Sequence, residues 1–235
     1  MSEYIFSRTE LLIGADGLKK LKNSNIWLFG AGGVGSYCAE ALIRAGVGSL
    51  TVVDGDIVNI TNINRQIIAT HKTIGMPKVD VLCERAKDIN PDINFTAVHK
   101  FYLPNNSEEF DFSDADYVID AIDTVSAKLD IIERCNKLNI KVISSMGTGN
   151  KVDNTKFEIC DIYKTHTDPL AKVMRRELKA RGVNSLNVVY STAKPRKIAA
   201  VNNDRPPVAS ISYVPSVGGL IIAGKVIEDI LSLKD

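Results

Sequence analysis

The 235-residue chain predicts an α/β fold: a Rossmann-like, doubly wound, mostly parallel sheet with antiparallel strands in its C-terminal third. Three observations carry that expectation. The apolar run Ile26–Phe29 enters Gly30-Ala31-Gly32-Gly33-Val34-Gly35, a Gly-x-Gly-x-x-Gly turn that opens a helix. A second apolar run, Leu50–Val53, ends in Asp54, where an acid would meet a ribose hydroxyl. Strand and helix patterns then alternate up to about Ser144, as crossover units covering both faces of a sheet require.

Each element has its own signal. Leu11, Leu12, Ala15, Leu18 and Leu21 recur at helical spacing and predict a helix over 9–23, despite Gly14 and Gly17. Strand 26–29, helix 34–45 and strand 50–53 follow. Residues 54–75 are polar and irregular, too long for an idle connection. Pro77 opens a helix to about Ile89, with Val79, Leu82, Ala86 and Ile89 on one face. Strands over 94–99, 117–120 and 140–144 flank a helix over 126–138. Strands over 157–163 and 186–191 bracket an amphipathic helix over 168–180. A polar loop over 193–207 is expected to be mobile, followed by a strand near 209–214 and a helix over 216–231. One nucleotide-binding domain over 1–235 is the expected organisation, with a peripheral, partly mobile region at about 151–210.

Composition narrows the function classes. Net charge is +1, so no global field recruits nucleic acid, and any such binding needs a local patch. The four cysteines, Cys38, Cys83, Cys135 and Cys160, form no C-x-x-C pair, which argues against a structural zinc. Cys38 and Cys83 read as small buried hydrophobes within helices, and this usage fits a reducing, cytoplasmic setting. Met1-Ser2-Glu3-Tyr4 shows no basic region followed by an apolar one, so no signal peptide is expected. Residues 208–224 carry no charge, but Pro215 and three serines make a buried strand and packed helix the better reading than membrane insertion.

Polar groups gather where the parallel strands should end. They are Asp54-Gly55-Asp56, then Asn59, Asn62, Asn64, Arg65 and Gln66, then Gly75-Met76-Pro77-Lys78, then Asp120-Ala121-Ile122-Asp123. A nicotinamide enzyme needs the ribose acid but no cluster of Arg, Lys and Asp. A triphosphate does need one: Arg65 and Lys78 can neutralise phosphate oxygens, and an Asp can hold Mg²⁺. Lys78 stands in the first turn of a helix, where the dipole disfavours a cation, which points to an anion nearby. On residues alone, Asp120 and Asp123 fit capping of the helix near Ser126 as well as they fit cation binding.

The five ordered motifs over residues 5–150 resemble the ubiquitin-activating-enzyme-like adenylyltransferases, which include thiamine and molybdopterin sulfur-carrier activating enzymes. The resemblance implies ATP and Mg²⁺, with attack of a carboxylate on the α-phosphate to give an acyl adenylate and pyrophosphate. It implies that Gly30, Gly32, Gly33 and Gly35 hold phosphates and that Asp54, with Asp56, serves the nucleotide. It implies phosphate contacts from Asn62, Arg65, Gln66 and Lys78, and Mg²⁺ on Asp123. Arg8 resembles an N-terminal arginine that reaches the other subunit's nucleotide, which implies a homodimer; without the resemblance a solvated helix-start arginine is the better reading. Arg8, Arg65, Lys78 and Asp123 are thus the implied catalytic set.

The C-terminal half departs from the sulfur-carrier branch. It lacks zinc pairs, and its only cysteine after residue 135 is Cys160, inside the apolar strand, where a buried structural thiol is the better reading. Ser144-Ser145-Met146-Gly147-Thr148-Gly149 and the segment 167–178 resemble instead the branch that dehydrates threonylcarbamoyladenosine in tRNA. Those enzymes adenylate the threonyl carboxylate, and loss of AMP closes a ring on the same nucleoside. Lys172, Arg175, Arg176 and Lys179 fall at i, i+3, i+4 and i+7, one face of a helix, with Lys194, Arg196, Lys197 and Arg205 soon after. They could hold an RNA backbone or form an ordinary solvated face. Tyr163, Tyr190 and Tyr213 are the few candidates for base stacking. Competing readings are an adenylyltransferase for a ubiquitin-like sulfur carrier, with sulfur-transfer proteins as partners, a nicotinamide-dependent oxidoreductase, and a non-catalytic scaffold.

Overall fold

A computed structural model of the protein describes residues 4–199 and 208–233. Its single sheet has seven strands: β1 (Asn25–Phe29), β2 (Ser49–Val53), β3 (Asn94–Val98), β4 (Tyr117–Asp120), β5 (Lys141–Ser145), β6 (Phe157–Asp161) and β7 (Asn187–Ser191). The spatial order is β3-β2-β1-β4-β5-β7-β6, parallel throughout except for β6 against β7. The helices are α1 (Ser7–Lys22), α2 (Gly35–Ala45), α3 (Lys78–Ile89), α4 (Val125–Leu138), α5 (Pro169–Ala180) and α6 (Tyr213–Leu231).

Strand alternation sends each side chain to one of two faces. Ile26, Leu28, Leu50, Val52, Tyr117, Ile119, Ile143 and Val189 pack against residues of α2, α3 and α6. On the opposite face, Phe29, Val53 and Val118 join Tyr102, Phe110 and Phe112 around α4, while Val188 and Tyr190 meet α5. Within α2, Leu42 and Ile43 are fully buried, each contributing about 1.5–3 kcal/mol of apolar transfer. Glu40 on α2 accepts from Arg44 at 2.7 Å and from Arg85 of α3 at 2.6 Å, tying the two helices together.

Four expectations are corrected. The first helix is interrupted at Gly14 (φ 75°, ψ 165°), a conformation open to glycine, rather than running unbroken. Pro77 stands just before α3 and Lys78 becomes its first residue, so the buried lysine occupies the end of the helix least suited to a cation. The strand beginning at Phe157 stops at Asp161 and gives way to a 3₁₀ turn over Ile162–Lys164. No strand forms near 209–214: α6 starts at Tyr213, with Pro215 in its first turn, where a missing N–H costs nothing. The remainder of the apolar C-terminal stretch is packed helix, and no described helix is long and apolar enough to cross a membrane. The expected mobile loop over 193–207 lies partly outside the described residues, as does Arg205.

Candidate nucleotide-binding site

The order of the sheet reverses about β1, whose neighbours β2 and β4 lead away in opposite directions. Ligands of open α/β sheets bind beyond the strand C-termini at such a point. A cavity of about 510 Å³ lies there, walled by the turns after β1, β2, β4 and β5.

The glycine turn forms its floor. Gly30 takes φ 95° and its N–H donates to Val53 O at 2.8 Å. A side chain at Gly35 would place its Cβ 1.8 Å from Gly30 O, so this glycine lets α2 pack against the turn and does not itself face the cavity. Asp54 locks turn and strand together. One carboxylate oxygen accepts from Ala31 N at 2.6 Å, the other from Asp56 N at 2.8 Å.

The long segment after β2 folds back over the turn. Asn59 and Asn62 cap each other's backbone around a 3₁₀ turn over Ile60–Asn62. This puts Asn62, Arg65 and Gln66 in the wall. Arg65 is half-buried and donates through a single Nη to Thr61 O at 2.9 Å and to Asn64 Oδ1 at 3.0 Å, leaving its other guanidinium N–H groups without a partner among the described residues. Gln66 is buried, and its Oε1 has no partner among the described residues. Lys78 reaches the same wall and donates to Asp56.

Opposite these groups stand Asp123, Thr124 and the Ser145–Gly149 turn. Asp123 is exposed, and its carboxylate meets only the Thr124 hydroxyl, at 3.5 Å, among the described residues. Asp120 neither caps α4 nor faces the opening. It is fully buried, accepting from Lys128 Nζ at 2.8 Å and from Ser144 Oγ at 2.6 Å. Lys128 also donates to Ile122 O at 3.2 Å and Ser145 O at 2.9 Å, fixing the spacing of the two walls beside Asp123. The capping position of α4 belongs to Thr124, without a side-chain bond.

Gly30, Gly32, Gly33, Asp54, Asp56, Asn62, Arg65, Gln66, Lys78 and Asp123 therefore line one cavity, as the sequence led us to expect. Arg8 does not; it is exposed on α1, beside exposed Ile5, Leu11 and Leu12. Sequence reasoning missed Lys128 and Lys151, which hold the carbonyls of the lining residues Ile122, Ser145 and Gly147, and Lys100, Phe101 and Tyr102, which line the cavity themselves. Phe101 is 56% exposed and lies over Gly55, where a Cβ would meet its ring at 2.6 Å. Its signal was its place just after β3, at the strand end nearest Asp54.

None of the four cysteines lines the cavity. Burial pushes the Cys38 thiol well above its ordinary range and the Cys135 thiol up to about 12. Cys83 and Cys160 are half-buried rather than buried. Partial burial, then the carboxylates of Glu158 and Asp161, raise the Cys160 pKa, which works against a thiolate.

On α5, Ala171, Met174 and Leu178 face the core, and Lys172 and Lys179 are exposed. Arg175 turns aside to donate to Thr165 O at 2.9 Å, and Arg176 pairs with Glu177 at 2.8 Å. The expected four-cation face thus carries two lysines with no ion-pair partner among the described residues. Lys194, Arg196 and Lys197 are exposed on the connection after β7. Of the three tyrosines, Tyr190 is buried and Tyr163 donates to Val183 O, which leaves Tyr213 exposed.

The donor set, which brings backbone amides, Arg65, Lys78 and the carboxylates of Asp54, Asp56 and Asp123 to one cavity, suits a nucleoside triphosphate. Mg²⁺ is commonly held by one or two carboxylates together with phosphates, so Asp123 fits as its protein ligand. Among the described residues no group of three His, Cys, Asp or Glu could hold a metal alone.

The match to the ThiF family covers residues 6–233. The chain is 46% identical over 239 residues to tRNA threonylcarbamoyladenosine dehydratase of Bacillus subtilis, covering 96% of this chain and 94% of that protein. It superposes on the crystal structure of Escherichia coli tRNA N6-threonylcarbamoyladenosine dehydratase in complex with AMP with a TM-score of 0.89, at 31% identity, covering 98% of each chain. The structure of the E. coli enzyme in complex with ATP gives 0.86 at 32% identity, over 97% of this chain and 93% of that one.

Proposed function

The chain belongs to the ThiF family, and from that premise we propose that it catalyses the ATP-dependent dehydration of threonylcarbamoyladenosine in tRNA. The observation that carries this reading within the family is a cavity lined by the glycine turn, Arg65, Lys78 and Asp123, with no cysteine in its walls. A reaction whose second nucleophile belongs to the substrate needs no enzymic thiol.

In the first step the threonyl carboxylate attacks the α-phosphorus of ATP, and pyrophosphate leaves with the electrons of the broken P–O bond. In the second, a nucleophile of the same modified nucleoside closes on the acyl carbon, AMP departs, and one proton is released. The sum is loss of one water from the nucleoside for one ATP converted to AMP and pyrophosphate.

Charge grows on the phosphates in the first step, so fixed cations lower the barrier more than they stabilise bound ATP. We assign that role to Arg65 and Lys78, with the amides of the glycine turn, Asn62 and Gln66 placing the phosphates. Asp54 and Asp56 serve the ribose side. Asp123 would hold Mg²⁺, which supplies further charge neutralisation when bound. Arg8, with exposed Leu11 and Leu12 beside it, supports a homodimer in which each subunit reaches the other's nucleotide. We read 1–235 as one adenylation domain acting in the cytoplasm, with Lys172, Lys179, Lys194, Arg196 and Lys197 supplying the tRNA surface.

The test is mass spectrometry of nucleosides from threonylcarbamoyladenosine-containing tRNA incubated with the protein, ATP and Mg²⁺. Loss of one water from that nucleoside, matched by AMP release, is the expected result. Proven substrate left unchanged would sink the reading. Pyrophosphate exchange stimulated by a ubiquitin-like sulfur carrier would then favour the adenylyltransferase alternative.

A further inference from the structure

Lys151 belongs to none of the nucleotide-binding motifs, yet it is 3% exposed beneath the cavity. Its ammonium donates to Gly147 O at 2.8 Å, to Ser191 O at 2.9 Å and to Asp168 Oδ2 at 3.0 Å. The other oxygen of Asp168 accepts from Ala171 N at 2.9 Å and caps α5. One ion pair thereby joins the turn after β5, the end of β7 and the first turn of the basic helix. The approach is close: a Cβ on Gly147 would sit 3.0 Å from the Asp168 carboxylate.

Stability alone is a poor reason for such a pair. Desolvating two charges costs about as much as their attraction returns, and apolar replacements of similar volume often fold as well. What an ammonium adds is direction, because it holds two carbonyl groups and a carboxylate at once. Gly147 and Leu170 both line the cavity, while Lys172 and Lys179 lie further along the helix that Asp168 caps.

We propose that Lys151, acting through Asp168, is a positioning residue that registers α5 against the Gly147–Gly149 wall. A polynucleotide held on α5 is then presented at a fixed distance from the α-phosphate. This rests on the tRNA reading above.

The informative variant is Lys151→Met combined with Asp168→Asn. It removes both charges, keeps most of the volume, and leaves an amide oxygen at position 168 able to cap α5. Lys151→Met alone would strand a buried carboxylate and could unfold the chain. In the double variant, KM for modified tRNA should rise about tenfold or more, with KM for ATP and AMP affinity within about twofold of wild type. Hydrogen exchange should speed up together at residues 147–150 and in the first turn of α5, and stay unchanged in α2. A double variant with the wild-type KM for tRNA would overturn the proposal, as would wild-type exchange at 147–150. The exchange result decides the positioning role even if the wild-type protein leaves tRNA unchanged, an outcome that counts against the proposed reaction instead.

Discussion

Lys78 donates to Asp56 at 2.7 Å across the wall of the cavity, the lysine side chain 6% exposed and the carboxylate 53%. The pair is lopsided. A buried ammonium at the first position of a helix leans on a carboxylate that water already solvates. Such a cation is available to a stronger anion, and a phosphate arriving in the cavity is one. Lys78→Ala should therefore reduce the rate of AMP formation by about 10² to 10³, the usual cost of deleting one preorganised charge donor. Its circular dichroism spectrum should match wild type. Near-normal turnover would remove Lys78 from the machinery.

Asp123 makes a separable prediction. Its carboxylate contacts Thr124 alone among the described residues, whereas Asp54, Asp56 and Asp120 are all engaged. Asp123→Ala should abolish AMP formation and leave ATP binding measured in EDTA within about threefold of wild type, because binding and charge neutralisation are different tasks. Equal metal dependence of nucleotide binding in the variant and wild type would refute the assignment.

Much of this site was legible in the chain because nucleotide binding here uses short, contiguous motifs at strand ends. Gly30–Gly35, Asp54 and Lys78 each announce themselves within a few residues of a predicted strand or helix. Lys128 and Lys151 did not, because each holds an aspartate and two carbonyl oxygens scattered 4 to 40 residues away that no local pattern pairs. The strand expected near 209–214 failed for a related reason. Its apolar and β-branched residues satisfy a strand pattern, but Ala209 pairs with Asn150, its N–H donating to Asn150 Oδ1 and its carbonyl accepting from Asn150 N, both at 2.7 Å, and from Tyr213 the chain is helix packed on α2. Gly219 allows that contact: a Cβ there would lie 2.2 Å from Val34 O. Arg175 looked like an RNA ligand from spacing alone, and the backbone of Thr165 claimed it instead.

The cysteines give a clean negative test. Cys160 is half-buried, with its pKa raised by desolvation and by Glu158 and Asp161, and it stands outside the cavity. Cys160→Ser should keep kcat within about twofold of wild type, since no thiolate takes part. A loss of a hundredfold or more would revive a thioester or acyl-disulfide step.

Glu40 should make stability depend on acid. Burial opposes its ionisation, but Arg85 and Arg44 outweigh burial and leave its pKa below the ordinary carboxylate value. A lowered folded-state pKa means the contribution is complete above the unfolded value, near ~4.3, and is lost as pH falls through the folded one. Wild type should therefore melt above Glu40→Gln at pH 6, with the gap closing below about pH 4. A gap that stays constant from pH 6 to pH 3 would show that packing, and not charge, joins α2 to α3.

The polynucleotide surface can be tested without chemistry. Lys172 and Lys179 are exposed on α5 and free of ion pairs among the described residues, whereas Arg175 is turned to Thr165 O and Arg176 is paired with Glu177. Each phosphate neutralised by a lysine adds about 0.9 to the slope of log affinity against log salt. Replacing both lysines by alanine should weaken tRNA binding across sequences and lower that slope by nearly 2, whereas Arg176→Ala should change it little, since that guanidinium is already shared with Glu177. AMP affinity should stay the same in both variants. Unchanged salt dependence in the double lysine variant would move the tRNA surface elsewhere, with Lys194, Arg196 and Lys197 the next residues to replace.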